Sequence, residues 1–371
     1  TNTMKKKLNK IIGLLLVQSI FLLNINAQTE IASFQLGSLD SYFSSYFQPF
    51  ATATAVSMGG GWYNTAKTHK LIGVDISLLA LSLTTVNDED LLIDPADISL
   101  GSGLSLSSTT DIPTLSAEDG LAGPTLRQTI DVPVLGPQTE DVMELFSGKG
   151  VGMSAALNMF QIGIGLPKGT DLKIRFIPTI ELKVSDDLNF GKVSMFGVGV
   201  QHDIKQWIPV VKEVPILQMS VVIGYSKFKM EYTAVPFPFT PELFEATTSL
   251  AAATWDDQYL GIDMSSLIVN AVVGINIPVV NPYVGFGLNK YNFDGGLKGT
   301  YPILSFQADN LGNVTQVVED TELDPITITS NGTMMNVNAG LRIKLAVITL
   351  WGQYTVQKYP MATVGLGLSI R

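Results

Sequence analysis

The sequence predicts an all-β fold, a transmembrane antiparallel β-barrel, and three observations predict it. From residue 151 on, apolar residues recur at every second position in segment after segment. The segments run about 9–17 residues, beyond the five or six of an ordinary strand and enough for a tilted span of about 9–11. The chain is also apolar without being concentrated: its 371 residues are 46% hydrophobic and 15% charged, with mean hydropathy +0.28, where a soluble domain carries about 25% charge. No stretch after residue 27 is both long and apolar enough for a spanning helix. Dispersed, alternating apolarity is the signature of a barrel with a lipid-facing side.

Residues 1–27 read as a signal peptide. Met4 is the expected start, Lys5, Lys6, Lys7 and Lys10 form the basic region, residues 11–23 the apolar region, and Ile25-Asn26-Ala27 sets up cleavage before Gln28. The apolar run is too short for an anchor helix, and no cysteine follows it for lipidation. Removing four lysines takes the net charge from −10 to −14. An acidic chain of this kind argues against nucleic acid as a partner.

Residues 28–70 read as a helix followed by a glycine-rich, plug-like segment. Leu36, Leu39, Phe43, Tyr46, Phe47 and Phe50 recur near helical spacing and predict a helix over 29–50, with Pro49 marking its end. Residues 51–69 are small and glycine-rich, and Gly59-Gly60-Gly61 ahead of Trp62 defeats both helix and strand. Such a stretch suits a chain folded inside a lumen, or equally a loop entering the first strand.

Residues 71–371 read as the barrel. Spans are expected at 72–84, 152–166, 171–184, 190–204, 215–232, 258–277, 282–293, 335–345, 348–356 and 363–371, with a further short strand near 298–305. In 171–184, Leu172, Ile174, Phe176 and Ile180 face one way, and Lys173, Arg175, Thr179, Glu181 and Lys183 the other. Met335, Val337, Leu341 and Ile343 likewise alternate with Asn336, Asn338, Arg342 and Lys344. Long loops are expected at 85–150, 233–257 and 306–331, and short turns at 186–187, 277–281 and 357–360, the rim asymmetry of an outer-membrane barrel. The closed number should be even; about 12 strands is the best estimate, with 10 and 14 open. Tyr63, Tyr225, Tyr232, Tyr259, Tyr283, Tyr291, Trp351 and Tyr359 lie near strand ends, where interface belts place aromatics, although strands favour them anyway.

Two runs carry a family likeness. The first is QPFATATAVSMGGGWYNTAKTHKLIGVDISL, with Gly60, Gly61, Trp62, Tyr63, Asn64, Thr65, Ala66, Lys67 and His69, then Gly73 and Asp75. The second is KQWIPVVKEVPILQMSVVIGYS, with Trp207 and Pro209 before a long strand. Together they resemble an uncharacterised outer-membrane β-barrel family of Bacteroidota, broadly similar to the FadL-type transporters of hydrophobic compounds. The resemblance implies an N-terminal plug in the lumen and lateral or diffusive passage of apolar ligands. The chain departs from many such barrels in closing on Leu368-Ser369-Ile370-Arg371 rather than on an aromatic residue.

Little in the chain points to reaction chemistry. It has no cysteine and only two histidines, and it lacks the G-x-S-x-G, H-E-x-x-H and Walker patterns. No enzyme activity, cofactor or metal is expected, though a triad is spatial and leaves no local signature. The acidic groups Asp88, Glu89, Asp90, Asp94 and Asp97, and Glu319, Asp320, Glu322 and Asp324, lack the spacing of a calcium loop and read as solvated loops. His202 beside Asp203 reads as a rim residue. The candidates for the lumen or a ligand are Trp62, Tyr63, Asn64, Lys67 and His69 from the plug-like segment, and Lys173, Arg175, Lys183, Arg342 and Lys344 from the polar strand faces, with Arg371 on the same face. The cations would guide an anionic head group or form a salt-bridged lumen with Glu181 or acidic plug residues.

The expected protein is therefore an exported outer-membrane barrel, surrounded by lipid, that binds or passes a small hydrophobic molecule. The alternatives are a scaffold barrel for another envelope protein and a soluble secreted β-sandwich.

Overall fold

The computed structural model describes residues 36–107, 110–132, 136–157, 160–185, 188–233, 257–308 and 314–370. The signal-peptide reading of 1–27, most of the expected loop at 233–257, and Arg371 lie outside them.

A 3-10 turn, Leu36–Leu39, leads into helix α1, Asp40–Ser57. The helix does not end at Pro49 as expected but runs through it. Interior proline forfeits a backbone hydrogen bond, at a cost of about 3 kcal/mol. Here burial offsets that loss: Pro49, Ala51, Thr52, Ala53, Ala55, Val56 and Ser57 are all buried, and such small side chains let α1 lie close to the strands around it. It packs against β16, β13, β7, β1 and β12 of the sheet described next.

The strands are β1 (Val74–Thr85), β2 (Leu92–Ile93), β3 (Leu104–Leu106), β4 (Ile112–Pro113), β5 (Thr125–Val132), β6 (Gly136–Glu144), β7 (Met153–Leu157), β8 (Gln161–Leu166), β9 (Thr170–Ser185), β10 (Leu188–Asp203), β11 (Leu217–Tyr232), β12 (Tyr259–Ile275), β13 (Val280–Lys298), β14 (Thr300–Ala308), β15 (Val314–Leu323), β16 (Ile326–Leu345), β17 (Ile348–Val356) and β18 (Met361–Ile370). The main sheet runs β18-β17-β16-β13-β12-β11-β10-β9-β8-β1, and β1 pairs back onto β18, closing the ring. Strand β7 continues β8 along β1 in one register, Leu81 facing Leu157 and Ser77 facing Gln161. The two share one position, so the barrel is ten strands round. Twelve is thus not what forms. The extra candidate near 298–305 belongs to the β14–β15 hairpin, which stands apart from the ring.

The two rims differ. One, the turn rim, carries the connections 167–169, 204–216, 276–279 and 346–347; the other, the loop rim, carries 86–152, 233–258 and 299–325. The short connections 186–187 and 357–360 join strands at the loop rim too, so short and long are not strictly sorted between rims. The described parts of 85–150 and 306–331 carry more regular structure than loop composition predicts. Within the first, β5 pairs with β6 and β3, and β2 with β4; its Ile93, Ile112, Leu115, Leu126 and Leu145 pack in one core with Tyr42, Phe43 and Tyr46 of α1. The second holds β15 and the start of β16.

Side-chain direction follows the pleat, and the barrel has two storeys. On the outer face of the turn-rim half, Ile223 and Tyr225 of β11, Val284, Phe286 and Leu288 of β13, and Met335, Val337, Leu341 and Ile343 of β16 are exposed. Spaced at ~3.3 Å per residue along strands tilted ~40°, the row from Met335 to the exposed Leu345 stands about 25 Å tall, the height of a lipid-facing band. Beyond it, the same strands turn polar outside, with Lys227, Lys229, Lys290, Asn292 and Asn331 exposed.

The interior inverts in the opposite sense. Level with the apolar belt it is polar, with Lys173, Arg175, Gln201, Asn270, Asn338 and Arg342 buried. Towards the loop rim it holds Met195, Phe228, Met230, Met264, Phe293 and Met334 around α1. A register shift of β9 against β10 at Ile177–Ile180 marks the change. It corrects the expected faces of β9: Ile180 packs on the inner core, whereas Thr179 and Glu181 are exposed. Glu181 is therefore not a lumen partner for the cations.

Candidate functional site: the barrel lumen and residues 58–70

Beyond α1 the chain turns at Gly59 and Gly60 and runs inside the barrel without regular structure to β1. Backbone taken out of water needs hydrogen-bond partners, and the wall supplies them. Arg175 donates through Nη1 to the carbonyls of Met58 (3.2 Å) and Gly60 (3.1 Å). Through Nε and Nη2 it donates to Gln161 Oε1 at 3.2 and 2.9 Å. Lys173 donates to the Trp62 carbonyl (2.9 Å) and Gln201 Oε1 (2.7 Å). Gln201 Nε2 in turn donates to the Thr65 carbonyl (2.8 Å) and Ser220 Oγ (2.9 Å).

Trp62 sits at the centre of this network. Its indole lies against β10 and β11 where both present glycine: a Cβ at Gly199 would come within 2.6 Å of the ring, and one at Gly224 would overlap it. Arg175 covers the ring, with its guanidinium carbon 3.8 Å from the centroid, a cation–π stack. Tyr63 donates its hydroxyl proton to Asn338 Oδ1 (2.9 Å) and accepts from Asn270 Nδ2 (2.9 Å). Burial pushes its phenol above the ordinary range, against the pull of those two bonds. Its ring meets Tyr283 edge-on, 5.8 Å between centroids.

At the turn rim a charge cluster ties down residue 69. The His69 amide donates to Asp171 Oδ1 (2.9 Å), and Nδ1 lies 2.8 Å from Asp171 Oδ2. His69 Nε2 lies 3.3 Å from Ser369 Oγ and 3.7 Å from Asp75 Oδ2, and Arg342 Nη2 reaches Asp75 Oδ2 at 3.4 Å. The order Asp171–His69–Ser369 is that of a hydrolase triad. However, Ser369 is 0% exposed and the carboxylate of Asp75 shares the Nε2 side, so the arrangement serves as a clasp between β1, β9 and β18.

The sequence candidates therefore divide. Trp62, Tyr63, His69, Lys173, Arg175 and Arg342 are all buried in the lumen, Trp62 with Lys173 and Arg175, Tyr63 with Asn270 and Asn338, and His69 with Asp75 and Arg342. Asn64, Lys67 and Lys344 are half-buried at its edge. Lys183 faces Asn189 in the β9–β10 ladder, and its side chain lies outside the described residues. Sequence reasoning missed Asp75, Gln161, Asp171, Gln201 and Asn270, although each occupies an inward position in an alternating strand. Beyond Tyr63, the aromatics near strand ends that an interface belt or simple strand preference would explain include Tyr283, Tyr291, Trp351 and Tyr359. All four are buried; Tyr283 and Trp351 lie across the glycines Gly340 and Gly365, which leave room for a ring. His202 does stand near the rim, accepting from Trp207 Nε1 at 3.1 Å.

Between Gly59, Gly61, Tyr63, Asn270, Asn336 and Gln353 there is a polar cavity of about 10 Å³, room for about one water. Among the described residues no grouping of His, Asp and Glu has the makings of a metal site, and no helix is long and apolar enough to cross a membrane.

The fold and site define a closed β-barrel, apolar outside, whose lumen is occupied by its own N-terminal segment. The chain belongs to DUF6588, a family of unknown function that matches residues 4–370. No curated protein matches it. Among solved structures it is similar to the translocator domain of the autotransporter NalP from Neisseria meningitidis, with 10% identity, 90% of this chain and 98% of that one covered, and a TM-score of 0.29. It is also similar to the outer-membrane protease OmpT from Escherichia coli, with 6% identity, 82% and 99% covered, and a TM-score of 0.29. The toluene transporter TbuX from Ralstonia pickettii follows with 9% identity, 87% and 97% covered, and a TM-score of 0.18. At these scores the likenesses carry no argument about function.

Proposed function

We propose that the protein is an outer-membrane barrel that binds a small hydrophobic molecule in its loop-rim storey, with residues 58–70 as the plug beneath. The observation that supports this reading is the double inversion of polarity. An apolar exterior with a polar interior is what a span in lipid requires. An apolar, methionine-rich interior above it, lined by Met195, Met230, Met264 and Met334 around α1, is a surface that adapts to varied apolar shapes. Passage would require the plug to move, because wall side chains hold its carbonyls from Met58 to Thr65.

The test is titration of the detergent-solubilised barrel with N-phenyl-1-naphthylamine. Saturable, blue-shifted emission that weakens in Met264→Trp, which adds bulk to the methionine-lined core around α1, is expected. Emission that never saturates, or that Met264→Trp leaves unchanged, would remove the ligand reading.

A scaffold role is the second reading, favoured by the order of 86–152, where Tyr46 donates to the Ser147 carbonyl at 2.8 Å and Tyr359 to Asp90 Oδ2 at 2.6 Å. A stoichiometric envelope partner that is lost on trimming 85–150 would select it. On either reading the chain carries out no reaction and needs no cofactor or metal.

A further inference from the structure

The turn rim of a barrel normally meets water, yet here it is apolar. Leu71 and Ile72 are 61% and 73% exposed, Trp207 and Val210 65% and 82%, and Leu345 and Val347 57% and 47%. These residues lie on the approach to β1, on the 204–216 connection, and at the end of β16 and its turn, so the feature belongs to the rim rather than to one loop. It adjoins the outer belt directly: on β16 the exposed apolar row ends at Ile343 and Leu345, and Val347 follows in the turn.

Charge at this rim runs against the whole chain. The protein is acidic, at −10, but Lys70, Lys168, Lys205, Lys212, Arg342 and Lys344 outnumber Asp75, Asp171, Asp203 and Glu213 there. Lys70, Lys168 and Lys212 are exposed, Lys212 in a solvent-exposed pair with Glu213 at 3.6 Å, while Lys205 folds back onto the Val214 carbonyl at 2.6 Å and braces the 204–216 connection. Trp207 is braced too, through its bond to His202, so its ring is held outward at fixed height. A fixed tryptophan, exposed aliphatic side chains and basic residues in one ring are the elements that seat a surface in lipid and hold acidic head groups.

We infer that the turn rim is a lipid-docking surface: the 204–216 connection and its neighbours lie in the adjacent leaflet, and Lys70, Lys168 and Lys212 hold the phosphates of anionic phospholipids. This rests on the membrane reading above. A protein partner on the same rim would be a competing outcome, disfavoured because the apolar row passes without a break from wall to turn.

The test uses the full chain carrying Trp255→Phe, with and without Trp207→Phe, so that the difference in emission reads Trp207 apart from the buried Trp62 and Trp351. It is placed in nanodiscs of phosphatidylcholine with and without phosphatidylglycerol, using lipids brominated on the acyl chain. Co-elution of the folded barrel with lipid tests the membrane reading by itself. If that holds, the inference predicts that bromolipid quenches the Trp207 emission at least two-fold. It also predicts that native mass spectrometry finds phosphatidylglycerol retained several-fold over phosphatidylcholine, and that Lys70→Gln/Lys168→Gln/Lys212→Gln abolishes this preference without altering the barrel. Unquenched emission in a lipid-embedded barrel, or a preference that survives the triple substitution, would overturn it.

Discussion

Arg175 and Trp62 form the tightest link between the wall and the chain inside it: the guanidinium carbon stands 3.8 Å above the ring, and the same guanidinium holds the carbonyls of Met58 and Gly60. One side chain thus satisfies irregular backbone and covers the ring that lies against Gly199 and Gly224 of the wall.

Arg175→Ala should leave two buried carbonyls and Gln161 without their donor. Hydrogen bonds to a charged group contribute about 1.5–3 kcal/mol each, so a loss of roughly 3 kcal/mol is expected. The barrel should survive and the plug loosen. Planar-bilayer recordings check this: the variant should conduct where the parent is closed. Arg175→Lys should recover little, because an ammonium lacks the fork that serves both carbonyls.

Gly224→Ala should push the Trp62 indole out of its seat, since the new Cβ overlaps the ring. Trp62→Leu removes the ring, and in that background the same change should be nearly silent. A coupling of about 1–3 kcal/mol in a double-mutant cycle is expected, read from thermal unfolding of the detergent-solubilised protein.

Tyr63→Phe should cost about 1–2 kcal/mol, because Asn270 and Asn338 each lose a partner inside the lumen. The drop in Tm should be clearly smaller than for Arg175→Ala. An equal or larger drop would mean that the amide network, rather than the cations, holds the segment.

Phe286→Arg places a charge in the outer belt, and about 2–4 kcal/mol is expected near mid-membrane. Asn292→Arg, further along β13 and exposed in the polar storey, should cost close to nothing. Urea-dependent folding into liposomes compares the two directly.

Much of the barrel was legible because a two-residue period needs no context: Val337 beside Asn338, or Leu341 beside Arg342, declares its face by itself. The β9 register shift was not legible, since a bulge changes face without changing composition, and it carried Glu181 to the outside. The helix end was misread because Pro49 stops an isolated helix but not one whose small residues are enclosed by a wall. The lumen candidates with charge or a ring were visible singly. Their partners Asp171, Gln201 and Asn270 were not, because an inward polar residue is ordinary until the segment it serves is placed opposite it.

Alternate residues of one strand should face lipid and a filled lumen. The chain has no cysteine, so single cysteines at Val337, Asn338, Ala339 and Leu341, spin-labelled in liposomes, test it by collision with oxygen and with a water-soluble nickel chelate. Oxygen access at Val337, Ala339 and Leu341, with Asn338 protected from both reagents, is the predicted result. Protection of Val337 and Leu341 from oxygen, as between stacked sheets, would contradict it.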